Sequence, residues 1–90
     1  MLFMFQLMTI NQVKTQVGEL CKVLRNQAGL TQAELAELLG LSRLTIQNME
    51  AGKNPTLDTV LKVLQHFDQL EVMHAFFKEQ TLLHQQPSLY

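Results

Sequence analysis

The stretch LTQAELAELLGLSRLTIQNMEAGKNP, residues 30–55, decides the fold of this chain. Thr31 and Glu34 have the spacing of a capping box, which favours the start of a helix. Gly40 ends that helix a few residues later, and Ser42 can cap another. Because a three-residue turn containing Gly makes two helices cross steeply, the pattern predicts a helix-turn-helix. The predicted helices span residues 32–39 and 43–51.

Three further helices are predicted on either side of this motif. Thr9 and Gln12 form a capping box at the start of the first helix, and Gly29 ends it. Its apolar stripe, with steps of three and four residues, consists of Ile10, Val13, Val17, Leu20, Leu24 and Ala28. Pro55 and Thr56 start a fourth helix, and a capping box, Asp68-x-x-Glu71, starts a fifth. The predicted fold class is therefore all-α, with five helices.

The predicted core lies in the angle of the motif. Leu35, Ile46 and Met49 fill it, and the small Ala36 lets the two helices approach closely. Cys21 is expected to be a small buried hydrophobe on the first helix.

Composition limits the function classes. The ninety residues have a mass of 10.3 kDa, enough for one small domain. Seven Lys and Arg against eight Asp and Glu give a net charge of −1, which excludes binding to a polyanion by bulk charge alone. The single Cys21 excludes an intramolecular disulfide and a multi-cysteine zinc site. No phosphate loop or activated nucleophile is recognisable, so we expect no enzyme activity, cofactor or metal.

The first eight residues, MLFMFQLM, contain seven apolar side chains and one Gln. The run is too short to span a bilayer and lacks the basic leader of a signal peptide. Translation could start at Met1, Met4 or Met8, and the run could then be a misassigned start or a frayed arm. Alternatively, it is a short strand or apolar arm that pairs with a second copy of the chain.

Residues 30–55 resemble the Cro/C1 type (XRE, lambda-repressor-like) of helix-turn-helix, through LTQxELA, GLS, TI, Glu50 and Gly52. The resemblance extends from about Val17 to Phe67. It implies a lambda-repressor-like DNA-binding domain whose second motif helix enters the major groove. The implied base contacts are Arg43, Leu44 and Asn48, and the neighbouring Gln47 either reaches a base as well or buttresses Asn48. The implied phosphate contacts are Gln32, Thr45, Lys53 and Asn54, whereas Glu50 is expected to connect the recognition helix to a neighbouring loop or helix.

The chemistry of these side chains fits base recognition. Arg43 can donate two hydrogen bonds to guanine, and Asn48 can bond adenine in the same bidentate way. Leu44 stands where the family often has a polar residue and could only contact a thymine methyl. The alternative is that these polar residues are merely the solvated face of an amphipathic helix.

The distribution of charge predicts a dimer. Residues 1–55 carry a net charge of +1 and residues 56–90 a net charge of −2, so one copy offers few phosphate contacts. A two-fold homodimer doubles them and reads a palindromic operator. The predicted dimer interface consists of Phe3, Phe5, Val72, Met73, Phe76 and Phe77. Alternatively, the N-terminal arm of the same chain covers Phe76 and Phe77.

Within the family, the chain resembles the HipB-like antitoxin group in its length, in residues 56–65 and in the tail Pro87-Ser88-Leu89. The resemblance implies a cytoplasmic, nucleoid-associated autorepressor that also binds a kinase-like toxin of the HipA type, and no membrane. The alternatives are a stand-alone phage or plasmid regulator, or an interaction module that no longer binds DNA. The predicted division is an arm (1–8), the DNA-binding domain (9–67), a C-terminal helix for dimerisation (68–83) and a flexible tail (84–90).

Overall fold

A computed structural model describes residues 7–85. Within this range the chain forms five α-helices, which confirms the predicted fold class. They are α1 (Ile10–Gln27), α2 (Gln32–Leu39), α3 (Arg43–Glu50), α4 (Leu57–His66) and α5 (Leu70–Gln85). The predicted arm residues Phe3 and Phe5 and the end of the predicted tail lie outside the described residues.

Local sequence sets most of the helix boundaries. The hydroxyls of Thr9 and Thr31 each accept a hydrogen bond from the backbone N–H three residues later. The side chain of that later residue in turn accepts a hydrogen bond from the backbone N–H of the threonine, so both capping boxes are confirmed. Thr56 caps α4 through its hydroxyl, which accepts from the Thr59 N–H. Gly29 has a φ of 73° directly after α1, the left-handed conformation that ends a helix at low cost.

The predicted capping box at Asp68 is wrong. Asp68 has a φ of 59°, and its N–H donates to the Gln65 carbonyl at the end of α4. The N–H of Gln69 donates to the Leu64 carbonyl at 2.8 Å. These bonds close α4 in the manner of a Schellman motif, with Asp68 in the left-handed position that glycine favours. Asp68 therefore ends α4 and does not cap α5.

The core lies where α1, α3 and α4 meet beneath the motif. As predicted, Leu35, Ala36, Ile46 and Met49 are buried, and so is Cys21. The α4 side contributes Val60, Val63 and Leu64. α2 packs mainly on α3, whereas α3 also contacts α1 and α4. α1 and α4 therefore pack against α3 and stabilise the motif.

The buried face of α1 matches the predicted stripe only in part, since Val17 and Leu24 pack against the core. Ile10, Val13 and Leu20 are exposed, whereas the buried α1 residues are Gly18, Cys21 and Arg25. A Cβ atom on Gly18 would lie 2.5 Å from the Met49 carbonyl oxygen. The absence of a side chain at Gly18 therefore allows α1 to approach the C-terminal end of α3 at backbone contact.

The fifth helix packs differently from the others. α5 contacts mainly α4, and none of its sixteen residues is buried. Val72, Phe76 and Phe77 are all more than half exposed. No helix within residues 7–85 has the length and apolar character needed to cross a membrane.

Candidate nucleic-acid interface

The turn between α2 and α3 brings the start of α3 to the surface. Gly40 has a φ of 69°, and the Leu41 N–H donates to the Ala36 carbonyl at 2.8 Å. The Ser42 hydroxyl then accepts the Thr45 N–H at 3.1 Å and caps α3. Since Arg43 is the first residue of α3, its side chain projects from an exposed helix terminus.

The four predicted base-contact residues share one side of α3. At 100° per residue, Arg43, Gln47, Leu44 and Asn48 fall within an arc of about 140°. Arg43, Leu44 and Gln47 are exposed and Asn48 is half-buried. Ile46 and Met49 on the other side are fully buried. One side of α3 therefore anchors the helix while the other presents donors, acceptors and one apolar side chain.

Two of the predicted phosphate-contact residues flank the helix termini of the motif. Gln32 is the first residue of α2, and its amide Nε2 donates to Glu50 Oε1 at 3.0 Å. The Thr45 hydroxyl lies 2.8 Å from the Ser42 hydroxyl. Both side chains are half-buried and already have partners within the chain. The partner of Gln32 fixes its amide at the N-terminus of α2.

The other two, Lys53 and Asn54, lie in the loop after α3. The Lys53 N–H donates to the Asn48 carbonyl at 2.9 Å, and the Lys53 side chain is exposed. Asn54 has a φ of 44°, and its Oδ1 accepts a hydrogen bond from Lys14 Nζ at 2.7 Å. Lys14 therefore places its ammonium group at Asn54, the residue that follows Lys53. This contact could not be predicted from local patterns, because Lys14 and Asn54 are forty positions apart.

A buried ion pair supports the interface from behind. Arg25 Nη2 donates to Glu50 Oε1 at 2.9 Å, Arg25 Nε donates to Oε2, and Arg25 Nη1 donates to the Leu30 carbonyl at 2.7 Å. The two side chains are only 9% and 4% exposed. The pair connects α1, the loop before α2 and the end of α3. This confirms the structural role predicted for Glu50, although its partner Arg25 was not predicted.

The protonation of this pair follows from its contacts. Burial alone would raise the pKa of Glu50, but hydrogen bonds from Arg25 and Gln32 and the charge of Arg25 outweigh it, so its pKa is lowered. The hydrogen bond to Glu50 raises the pKa of Arg25 despite its burial. Both groups are charged at neutral pH, and the pair can hold Gln32 and α3 in a fixed relation.

Residues 7–85 contain no group of three or more His, Cys, Asp or Glu side chains that could hold a metal ion. Cys21 is fully buried, and burial raises the pKa of its thiol to about 11.

Comparisons with known proteins agree with this geometry. The helix-turn-helix family matches residues 22–71. Antitoxin HipB of Escherichia coli O6:H1 is 35% identical over 71 residues, which cover 76% of each chain. Antitoxin HipB of Escherichia coli K12 is 42% identical over 55 residues, covering 60% of this chain and 62% of the relative.

A further relative shares a shorter stretch. A putative HTH-type transcriptional regulatory protein of Methanosphaerula palustris is 35% identical over 51 residues, which are 57% of this chain but only 17% of that protein. The residues matched by the family contain α2 and α3 entirely. The chain belongs to the XRE-type helix-turn-helix family of DNA-binding regulators.

Proposed function

We propose that the chain is a sequence-specific transcriptional repressor that binds a palindromic operator as a homodimer. The observation that carries this proposal is the two-sided α3, with Ile46 and Met49 buried and the predicted base-contact residues on the opposite side. A helix anchored in this way can enter the major groove without losing core contacts.

Base recognition is assigned to the exposed side of α3. Arg43 donates two hydrogen bonds to a guanine, and Asn48 pairs with an adenine. Gln47 contacts a neighbouring base edge, and Leu44, with 62% of its surface exposed, packs on a thymine methyl. The operator half-site should therefore contain guanine, adenine and thymine at positions that these four side chains reach.

The phosphate contacts fix the orientation of α3 on the duplex. Gln32 lies at the N-terminus of α2, where helix N–H groups favour an anion, and Thr45 lies in the first turn of α3. Lys53 and Asn54 extend this line past the end of α3. Because only a few of these groups are cationic, a single copy should bind DNA weakly.

The dimer proposal rests on that weakness and on α5. Val72 and Phe76 lie four residues apart on one side of α5, and both are more than half exposed. Met73 and Phe77 face a groove beside α4. A second copy packed on Val72 and Phe76 would cover apolar surface and double the number of phosphate contacts.

The role as an antitoxin follows from similarity. Two relatives are HipB antitoxins, and one of them matches three quarters of the chain. We infer a protein partner that is a toxin, of the kinase-like HipA type that the resemblance implies. A kinase-like gene adjacent to the coding sequence, whose product co-purifies with this chain, would support that partner. A coding sequence without such a neighbour would favour the stand-alone regulator.

DNA binding is tested by fluorescence anisotropy on the DNA upstream of the coding sequence, over a series of salt concentrations. We expect specific binding that weakens as salt rises. Arg43→Ala should lose about 5- to 150-fold in discrimination at one guanine, whereas Lys53→Ala should weaken all sequences alike and reduce the salt slope by about one. Lys62→Ala removes the same charge from α4 and should leave specificity unchanged. Equal binding to all DNA sequences at low salt would refute the proposal that the chain is a sequence-specific repressor.

Dimerisation is tested by sedimentation equilibrium at micromolar concentrations. The unaltered chain should sediment as a dimer, and Phe76→Gln should shift it to monomer because it places an amide in the apolar contact. Leu38→Gln is the matched control, since Leu38 is similarly exposed but lies on α2. A monomeric unaltered chain would disprove the dimer.

A further inference from the structure

The loop after α3, residues 51–54, lies against the N-terminal half of α1. A Cβ atom on Gly52 would be 3.1 Å from the Cα atom of Thr15, so the loop and the helix are in close backbone contact. One residue earlier on α1, Lys14 Nζ donates a hydrogen bond to Asn54 Oδ1 at 2.7 Å. α1 therefore brings a cation to the loop that already carries two of the predicted phosphate contacts.

The side chain of Lys14 is placed to hold its charge at the surface. Lys14 is half-buried and lines a groove beside Pro55 and Leu57, whereas Asn54, which its ammonium group reaches, is exposed. Lysine commonly covers its methylene stem in this way and keeps its charge in water. Because the bond to Asn54 uses only one N–H of the ammonium group, the others are available to an anion.

The conformation of Asn54 prepares a second donor. Asn54 and Asp68 are the two non-glycine residues with a positive φ in the described range, and Asp68 owes its conformation to the end of α4. Asparagine tolerates the left-handed region better than most residues. Since an ammonium group can only donate, the amide oxygen of Asn54 faces Lys14 and the amide Nδ2 is directed away from it. The amide and the ammonium group thus present N–H donors next to each other.

We propose that Lys14 and Asn54 together bind one phosphate of the DNA backbone, so that the interface extends from the motif onto α1. The inference rests on the proposed DNA binding. The ammonium group supplies the charge and the Asn54 amide a hydrogen bond to the same phosphate. Lys53 is the one cation among the four predicted phosphate contacts, and Lys14 adds another from a helix outside the motif.

A purely structural role for the bond is less well supported. The loop is already joined to α3, because the Gly52 N–H donates to the Met49 carbonyl at 3.0 Å and the Lys53 N–H donates to the Asn48 carbonyl at 2.9 Å. The bond from Lys14 is exposed, where water competes for both partners. A structural role predicts a lower Tm without Lys14 and an unchanged salt dependence of DNA binding.

The salt dependence of DNA binding tests the charge of Lys14. Fluorescence anisotropy is measured with the upstream DNA and with a scrambled duplex over a series of salt concentrations. Lys14→Ala should weaken binding to both duplexes alike and reduce the salt slope by about one for each bound copy. Lys14→Arg keeps the charge and should restore the slope. Lys62→Ala, which removes the same charge from α4, is the control and should leave the slope unchanged.

A double-mutant cycle tests whether Lys14 and Asn54 bind the same phosphate. Asn54→Gly removes the amide but adopts the positive φ without strain. It should weaken DNA binding by about 3- to 10-fold in the unaltered chain and by less in the Lys14→Ala background. Losses that multiply independently would overturn the shared site. An unchanged salt slope for Lys14→Ala would overturn it as well, and so would a lower Tm with unaltered DNA binding.

Two further arms separate this site from a free anion site and from the repressor proposal. Inorganic phosphate that replaces chloride at constant ionic strength should not displace the duplex. Displacement that Lys14→Ala abolishes would assign the site to free phosphate and overturn the proposal. The scrambled duplex requires no operator recognition, so a smaller slope there, with equal binding to both duplexes, would support this site and refute the repressor. Specific binding with an unchanged slope would do the reverse.

Discussion

The motif region and α5 differ in how much of their apolar surface they bury within the chain. α2 and α3 are eight residues each, yet each buries two side chains, and a buried ion pair joins their ends to α1. α5 is twice as long and buries none. The short helices are therefore stabilised by tertiary contacts, as helices of this length must be in water. The long helix has room for a partner on its apolar side.

This difference separates two kinds of recognition. The exposed side of α3 is mostly polar, and the opposite side is buried in the core. A rigid helix of this kind suits the recognition of base edges. The exposed side of α5 is apolar, and the helix packs mainly on α4, which suits protein contact. A change that loosens the first region should lower stability strongly, whereas a change on α5 should affect association more than folding.

The largest effect is expected at the ion pair. Glu50→Ala leaves the guanidinium of Arg25 buried with only the Leu30 carbonyl as a partner, and removal of one member of a buried pair typically costs about 3–5 kcal/mol. The measurement is the free energy of unfolding in urea. Lys62→Ala is the control, because its exposed pair with Asp58 should contribute at most about 1 kcal/mol. If both variants lost a similar free energy of unfolding, the buried ion pair would not stabilise the motif region more than an exposed pair stabilises α4.

The next effect concerns the contact between α1 and α3. In Gly18→Ala, the new Cβ would lie 2.5 Å and 2.6 Å from the carbonyl oxygens of Met49 and Glu50. Since these are backbone atoms, the helices must move apart, and we expect a loss of about 2–3 kcal/mol. Gly29→Ala is the control: it meets no atom within 4 Å and strains only its φ of 73°, at a cost of about 1 kcal/mol. If Gly29→Ala is the more destabilising, the backbone contact is unimportant.

A smaller effect should appear on acidification. Because the pKa of folded Glu50 is lowered, its ion pair contributes stability above the unfolded value of about 4.3 and loses it as pH falls through the folded pKa. The difference in unfolding free energy between the unaltered chain and Glu50→Gln should therefore be constant from pH 7 to about pH 5. Below about pH 4 it should shrink. A difference that grows on acidification would contradict the lowered pKa.

Sequence patterns predicted the parts of the fold that depend on neighbouring residues. Capping boxes at Thr9 and Thr31 and the left-handed Gly40 need only local hydrogen bonds, and all three are present. The contacts of Arg25 and Lys14 could not be predicted, because their partners lie 25 and 40 positions away and become neighbours only when α1 packs.

Two errors have definite physical causes. The α1 stripe was right at Val17 and Leu24, which pack against the core, and wrong at Ile10, Val13 and Leu20, which are exposed. The face that packs on α3 includes Gly18, where close backbone approach matters more than hydrophobicity. On α5, Leu70, Met73 and Phe77 form one apolar side and Val72 and Phe76 form another. Periodicity alone does not determine which side meets α4, so the packing of α5 had to come from the structure.

The smallest effect lies at the joint between the two regions. Asp68 occupies a left-handed position with a φ of 59°, which costs an L-residue more than glycine. Asp68→Gly should remove that strain and, after the greater flexibility of the unfolded chain is subtracted, stabilise the protein by about 0.5 kcal/mol. The measurement is Tm, with an expected rise of about 2–4 °C. Gln69→Gly is the control and should lower Tm, because the Gln69 side chain donates to the Phe67 carbonyl. A fall in Tm for Asp68→Gly would mean that the Asp68 carboxylate does stabilise the start of α5.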